Sequence, residues 1–247
     1  MNKTVIIIPS RLNALRLPNK PLELINNKEM ILHVYEAAKK TNIGEVYVAT
    51  PDQKVIDLII KNGGKAVLTS LDHLTGTDRI HEVFKIQLKN EPNIIINLQG
   101  DMPNIDPQAI THLVSYMNKG KCDIGTLASS FSSESELRDK NNVKVVVKEK
   151  LMTNNFFEAT DFFRTSSKTH ENVYHHVGIY AFTNKALVRY VSLVRSKLEL
   201  ERKLEQLRAL ENDMSIHVGY INSSPLSVDT KNDLIEVKKI MENNEQN

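Results

Sequence analysis

Val5-Ile6-Ile7-Ile8-Pro9-Ser10-Arg11 is the stretch on which the fold turns. From Val5 to Pro9 no polar residue interrupts the run. A strand with one wet face alternates apolar and polar side chains, so an unbroken apolar run marks a strand buried on both faces, as in a parallel sheet. Residues 46–49 (VYVA), 66–68 (AVL) and 94–98 (IIINL) repeat the signature. Between them lie helical patterns at roughly 30–40, 52–62, 78–89 and 107–118. Asp106-Pro107 opens the last of these, with an acceptor at the N-cap and proline at the first helical position. Strand and helix alternating in this way predict an α/β protein with a doubly wound, mostly parallel sheet and right-handed crossovers.

The second half is less regular. Residues 143–147 (VKVVV) and 177–182 (VGIYAF) read as strands, and 153–172, polar and aromatic without a clean period, as a loop-rich lobe or flap. Residues 198–211 read as one helix, with Leu200, Leu204 and Leu207 on a stripe and Glu199–Lys203 as an i,i+4 pair. A last strand at 216–221 leads through Ser223-Ser224-Pro225 and Val228-Asp229-Thr230 into a helix ending near 241, and the polar tail 242–247 is expected to fray. With no internal repeat and no low-complexity linker, residues 1–247 read as one domain, with a smaller lobe embedded at about 150–200.

Composition bounds the function. The chain has 247 residues, long enough for a large core without staples. Hydrophobic residues at 40% and charged residues at 25% exclude disorder as the dominant state. Lysine and arginine number 32 against 30 acidic residues, a net charge of +2, which argues against nucleic acid as a partner but leaves room for a small anion held by a few cations. The single Cys122 excludes a disulfide framework and a cysteine-rich zinc site. The run at 5–9 is too short for a signal segment, and a membrane span needs about 20 apolar residues, so a cytoplasmic protein without a membrane partner is expected.

The candidate chemistry follows the strands, because ligands of open parallel sheets bind beyond the strands' carboxyl ends. The loop after the first strand carries Arg11, Arg16 and Lys20 and has no glycine, so any phosphate there is held by guanidinium, ammonium and backbone N–H groups rather than by a glycine-rich cradle. A solvated basic loop is the plainer alternative. Thr75-Gly76-Thr77-Asp78-Arg79 fits a capping box at Thr75 and Asp78, and the same helix start offers free N–H groups to an anion or a base carbonyl. Gln99-Gly100-Asp101 follows the 94–98 strand, and Asp229 follows the last one. A carboxylate facing a basic loop repels phosphate unless a divalent cation stands between, and Mg²⁺ uses one or two carboxylates plus substrate phosphate oxygens. Asp229 or Thr230 acting only as a helix cap is the alternative, since Thr230 and Asp233 form a second capping-box pattern. His175 and His176 precede Tyr180 on one strand and point to opposite faces. Without HExxH or a cysteine cluster no zinc site is expected, and His112 and His217 read as structural. Glu205 reads as a solvated helix charge unless something recruits it.

Several motifs stand together in order: Pro9-Ser10-Arg11 through Arg16-Leu17-Pro18-Asn19-Lys20-Pro21-Leu22, Thr75 to Arg79, Asn97-Leu98-Gln99-Gly100-Asp101, His176-Val177-Gly178-Ile179-Tyr180, Leu204-Glu205-Gln206-Leu207-Arg208, and Val228-Asp229-Thr230 with Asp233-Leu234. From Val5 to about Met241 this resembles the 3-deoxy-manno-octulosonate cytidylyltransferase (CMP-Kdo synthetase) family. The first loop and Gln-Gly-Asp are shared with wider sugar nucleotidyltransferases, whereas the 75–79 and 204–208 segments are more specific. The resemblance implies a nucleotide-diphospho-sugar transferase sheet with a smaller sugar-binding and dimerisation lobe. It implies Mg²⁺-dependent transfer of CMP from CTP to the anomeric hydroxyl of the sugar acid Kdo, releasing pyrophosphate, by a cytoplasmic homodimer serving lipopolysaccharide assembly. Carried over by motif, Arg11, Lys20, Asp101 and Asp229 are the catalytic set, with Mg²⁺ on Asp101 and Asp229. Pro9, Arg16, Thr75, Gly76 and Arg79 join Arg11, Lys20 and Asp101 around the nucleotide, and Gln99, His176, Tyr180, Glu205 and Gln206 face the sugar acid.

Departures from the family pattern are Met102 after Gln-Gly-Asp, where Glu is common, and His175 before the strand histidine, where Arg is common. The segment that resembles Phe-Ser-Arg-Ala, used on the sugar carboxylate, reads Phe156-Phe157-Glu158-Ala159 here. Loss of a charge-assisted pair there costs about 1.5–3 kcal/mol, with Arg164 or Lys168 as nearby compensating cations. The alternatives are a cytidylyltransferase for another sugar acid and a non-catalytic nucleotide-binding homologue. Retention of Arg11, Lys20, Asp101 and Asp229 together disfavours the second, because such a group costs stability unless a ligand sits within it.

Overall fold

A computed structural model describes residues 3–14, 16–166 and 170–245. The chain opens with β1 (Thr4–Pro9), a hairpin of β2 (Leu24–Ile25) and β3 (Lys28–Glu29), and α1 (Met30–Lys40). Next come β4 (Glu45–Thr50), α2 (Gln53–Lys61), β5 (Ala66–Leu68), α3 (Gly76–Ile86), β6 (Ile94–Leu98) and α4 (Pro107–Met117). The second half holds β7 (Ile124–Ser129), α5 (Glu134–Arg138), β8 (Lys144–Val147), β9 (Phe156–Phe163), β10 (Val173–Thr183), α6 (Asn184–Ser192), α7 (Lys197–Arg202), α8 (Leu207–Leu210), β11 (Ile216–Tyr220) and α9 (Lys231–Glu245).

The continuous apolar runs supply both faces of one sheet. Ile6 and Ile8 of β1 pack into a core shared with α1, α2 and α4, whereas Val5 and Ile7 enter a second core with α3 and α6. Neighbouring side chains of a strand point oppositely, so each β1 residue is buried whichever way it faces. The strands order as β5-β4-β1-β6-β10-β7-β11-β9-β8. The block β5-β4-β1-β6 is wholly parallel, as the apolar runs predict. Beyond β6 the sheet is mixed: β10 inserts antiparallel between β6 and β7, and only β7 with β11 is parallel in the remainder. A register shift between Val177 and Tyr180 bends β10, whose far end pairs with β8. Among the described residues no helix is long and apolar enough to cross a membrane.

Three expectations need correction. The 153–172 stretch is not loop throughout: residues 156–163 form the strand β9, hydrogen-bonded to β11 and β8 with Ala159 and Phe162 buried, while 167–169 lie outside the described residues. The last helix runs through Glu245 rather than ending near 241. The single helix expected at 198–211 is two short helices broken at Lys203, which sits at φ 55° and ψ 45° in the left-handed region.

The break rearranges the charges. Leu200 is exposed while Leu204 and Leu207 are buried, and Glu199 pairs not with Lys203 but with Arg208, by two hydrogen bonds of 2.7 and 2.8 Å. Arg195 adds a third at 3.0 Å, and the Arg208 guanidinium lies over the Tyr190 ring. The Glu199 side chain is fully buried. Burial pushes its pKa up, but the arginine hydrogen bonds win and hold it below the usual glutamate value. Removing Arg208 leaves the buried Glu199 with only the partly exposed Arg195 and the Ser196 N–H, so Arg208→Met should destabilise the fold by about 3 kcal/mol, and Glu199→Leu with Arg208→Met should recover most of that loss in urea denaturation. A carboxyl depressed in the folded state contributes stability above its unfolded pKa and loses it as pH falls through the folded value. The gap between wild type and Arg208→Met should therefore narrow below about pH 4; a gap independent of pH would count against the pair.

Candidate functional site

The carboxyl ends of β1 and β6 open onto a cavity of about 780 Å³. Its first wall is the loop after β1. Ser10 N–H donates to the Ala49 carbonyl at 2.9 Å and Leu12 N–H to the Asp52 carboxylate at 2.8 Å, tethering the loop to the end of β4. Asn19 at φ 58°, a conformation asparagine tolerates, then turns the chain into the short 3₁₀ turn Lys20–Leu22. That turn aims Lys20 at the carboxylates of Asp101 at 2.8 Å and Asp229 at 3.1 Å. Burial lowers the pKa of Lys20, but the two carboxylates outweigh burial and hold it above the ordinary lysine value. Arg16 reaches Asp229 at 2.7 Å, and Arg11 projects into the cavity from the exposed face.

Two distant loops deliver the carboxylates as a pair. The Val228 N–H donates to the Asp101 carbonyl at 2.9 Å, stitching the loop after β6 to the loop before α9. The capping alternative is settled by division of labour: Thr230 and Asp233 form the capping box of α9, leaving the Asp229 carboxylate to Lys20 and Arg16. Met102 is buried in the core, so the departure next to Asp101 falls outside the cavity.

The facing wall is the start of α3. Thr75 caps it, accepting from Asp78 N–H at 3.1 Å. A Cβ on Gly76 would stand 3.2 Å from Pro9 Cγ and 3.6 Å from Gln99 Nε2, so glycine is what lets the helix start approach β1 this closely. Arg79 lines the cavity, but it is buried, donating to the Thr69 hydroxyl and, at 2.9 Å, to the Ser70 carbonyl. Glu82 accepts from Ser70 N–H at 2.9 Å and is hydrogen-bonded to His73. Burial raises the pKa of Glu82, but His73 and the Ser70 amide hold it below the usual range. Arg79 and Glu82 thus pin the 69–75 loop, and with it His73, onto the cavity rim.

Of the residues assigned to the sugar acid, Gln99 lines this cavity and the other four lie behind it. Tyr180, Glu205 and Gln206 surround a small void with Thr77. A hydrogen-bond chain links the two spaces: Gln99 Nε2 donates to Asn97 Oδ1 at 3.0 Å, Asn97 Nδ2 to Thr77 Oγ1 at 3.2 Å, and Thr77 Oγ1 to Glu205 Oε2 at 3.1 Å. Glu205 is not a solvated helix charge: burial raises its pKa against the opposing threonine hydrogen bonds. His176 is buried, its Nε2 2.9 Å from Thr126 Oγ1, and burial lowers its pKa to about 3. Tyr180 is likewise held well above the ordinary tyrosine value by burial. Both rings are neutral at pH 7 and can offer hydrogen bonds but no charge.

The middle-lobe departure also resolves geometrically. Glu158 sits on β9 opposite His217, bonded to Lys148, and does not line the cavity. Arg164 donates to the Asn141 carbonyl away from the site, and Lys168 lies outside the described residues. His175 faces Glu136, its Nδ1 2.7 Å from the carboxylate. Sequence reasoning missed Asp52, His73 and Lys203, the last of which also lines the cavity. Asp52 and His73 each stand close to a strand end, the signal that could have found them; Lys203 gave none, because its exposure follows from the helix break.

A family model described as Cytidylyltransferase matches residues 5–216. The 3-deoxy-manno-octulosonate cytidylyltransferase of Bartonella tribocorum is 42% identical over 239 residues, 96% of this chain and 98% of its own length. That of Brucella ovis is 40% identical, covering 94% of this chain and 93% of its own. A solved structure of CMP:2-keto-3-deoxy-manno-octonic acid synthetase complexed with CTP superposes with a TM-score of 0.88 at 36% identity, covering 98% of this chain and 99% of that one. At 12% identity, a 4-diphosphocytidyl-2C-methyl-D-erythritol synthase from Anaerococcus prevotii shares the fold with a TM-score of 0.67, covering 98% and 99%.

Arg11, Arg16, Lys20, Arg79 and Lys203 face Asp101 and Asp229 in the cavity, an excess of positive charge that suits a polyanion. Tripolyphosphate at a hundred times its Kd should add about 2.7 kcal/mol to the free energy of unfolding, and less as salt rises. Arg11→Ala with Lys20→Met should abolish the thermal shift. An equal shift in that variant would place the anion elsewhere.

Proposed function

The chain belongs to the cytidylyltransferase family, and from that footing we propose that it transfers CMP from CTP to the anomeric hydroxyl of 3-deoxy-manno-octulosonate, releasing pyrophosphate. The observation that carries the reading is the convergence of Asp101 and Asp229 on the Lys20 ammonium at the floor of a cation-rich cavity. Relatives about 40% identical over nearly their full length carry the corresponding name.

In the proposed reaction the sugar hydroxyl oxygen bonds to the α-phosphorus, the bond to the pyrophosphate oxygen breaks, and the hydroxyl proton is released. Negative charge gathers on phosphoryl oxygens as this happens, so the residues act mainly by position and electrostatics. Arg11 and Lys20 hold the triphosphate, and Lys20 stays protonated throughout the working pH range because of its two carboxylates. The N–H groups at the start of α3 add a neutral anion site, and Thr75, Gly76 and Arg79 bound the side given to cytidine. Gln99 faces the cavity with its amide oriented by Asn97, and behind it Tyr180, Glu205 and Gln206 line the small void, with His176 against Tyr180, on the side given to the sugar acid.

The carboxylates also suit Mg²⁺. Among the described residues no group of three or more His, Cys, Asp or Glu could hold a metal by itself. Two hard oxygen donors beside a phosphate site are what Mg²⁺ uses when the substrate completes its coordination. Asp101 and Asp229 would hold it, and when bound it would neutralise phosphoryl oxygens and orient the hydroxyl. The reading includes cytoplasmic action as a homodimer, for which the support is the family resemblance together with exposed Val188, Val194 and Leu200 on one stretch of the second half.

Pyrophosphate release with CTP, Mg²⁺ and Kdo, run beside other sugar acids and other nucleotides, tests the reading. Release with CTP and Kdo is expected. Release only with another acid would move the assignment to that acid, and CTP binding without release from any acceptor would leave a non-catalytic protein. Asp101→Asn should cut turnover by roughly 10²–10³-fold, the equivalent of several kcal/mol of charge stabilisation, while circular dichroism stays native. Near-normal turnover in that variant would refute the metal assignment.

A further inference from the structure

Among the described residues ten non-glycine positions have positive φ, and all but Lys89 and Lys203 are Asn or Asp, the side chains that tolerate that region. Lys89 is exposed just beyond α3, whereas Lys203 stands on the wall of the large cavity. A lysine has no local hydrogen bond to offer a left-handed backbone, so such a conformation persists only where its surroundings impose it, a pattern that concentrates at functional sites. The surroundings here are firm. Leu204 and Gln206 are buried directly after the turn, and the Tyr190 hydroxyl donates to the Glu205 carbonyl at 2.8 Å. The same turn sends Glu205 to Thr77 and leaves the exposed Lys203 at the cavity.

The other cations of the cavity are mostly engaged. Lys20 and Arg16 hold Asp101 and Asp229, and Arg79 holds Thr69 and Ser70. Among the described residues only Arg11 and Lys203 of the cavity's cations lack both an ion pair and such a tether. Arg11 belongs to the loop that holds the triphosphate. Lys203 comes from the segment that carries Glu205 and Gln206, remote in sequence from that loop. CTP and a sugar acid are both anions, and bringing them together costs Coulomb repulsion unless each has its own cation.

We propose that Lys203 binds the acceptor's carboxylate and so sets the preference for a sugar acid over a neutral sugar. The proposal rests on the reading of this cavity as a CMP-transfer site. The ammonium forms a charge-assisted hydrogen bond with the carboxylate, while Arg11 and Lys20 remain with the phosphates.

Two variants test it. Lys203→Met removes the charge, and Lys203→Gly removes the charge while keeping a residue at ease in the left-handed turn, so a loss shared by both is not a folding defect. Both should lower kcat/KM for the sugar acid by roughly ten- to a hundred-fold, as expected for a lost charge-assisted bond, with KM for CTP within about two-fold of wild type. Lys203→Arg should recover most of the loss. The preference of wild type for the acid over its C1 carboxamide should collapse in both charge-free variants. Unchanged kinetics with the acid in Lys203→Gly overturns the proposal, and so does a rise in KM for CTP alone, which gives Lys203 to the nucleotide. If the unaltered enzyme binds CTP but releases no pyrophosphate with Kdo, the parent reading fails instead and takes this one with it.

Discussion

One ammonium group organises the site. Asp101 and Asp229 come from loops that would repel each other, and Lys20 between them makes their approach favourable. An ammonium has three donors and no acceptor, so two go to the carboxylates and a third is left for a phosphate oxygen. The remaining contacts around it serve as alignment. Ser10 and Leu12 fix the loop that carries Lys20, the Val228 amide locks the two acidic loops together, and the Thr230–Asp233 capping box at the start of α9 relieves Asp229 of a capping role. The two layers of core beneath exist to hold β1, β6 and the start of α3 at one edge.

Much of this was legible in the sequence for a plain reason. β1 and β6 are buried on both faces, and double burial writes an unbroken apolar run that needs no partner to be recognised. Their ends then mark the ligand edge, and Pro9, Arg11, Arg16, Lys20, Gln99 and Asp101 all fall there by position alone. Asp229 was ambiguous because two adjacent residues, Asp229 and Thr230, could each cap α9. The side chains separate their roles: the Thr230 hydroxyl accepts from Asp233 N–H at 3.3 Å, whereas the Asp229 carboxylate goes to Lys20 and Arg16.

The rest depended on neighbours remote in sequence. β9 has Phe156, Phe157, Glu158 and Asp161 half-buried, and a register slip opposite Val146 and Val147 breaks its alternation, so no period of two survives to be seen. The 198–211 segment has a sound helical pattern, yet the fold needs Glu199 under Arg208 and Glu205 under Thr77, which one straight helix cannot satisfy. Tertiary demand overrode propensity there. Glu158 shows the reverse error: a residue in an expected binding segment that β pairing turned away to Lys148.

The site is also late to be built. Lys20 and Asp229 stand 209 positions apart, with nearly every strand of the sheet between them. At ribosomal rates of about 5–20 residues per second, the basic loop waits on the order of 10–40 s for its second counter-charge. Throughout that interval the nascent chain carries a cationic loop with its second acidic partner still unmade. Any chain cut short between β11 and Asp229 would carry every strand of the sheet and still lack a finished site, so intactness of the far end is checked by the chemistry itself.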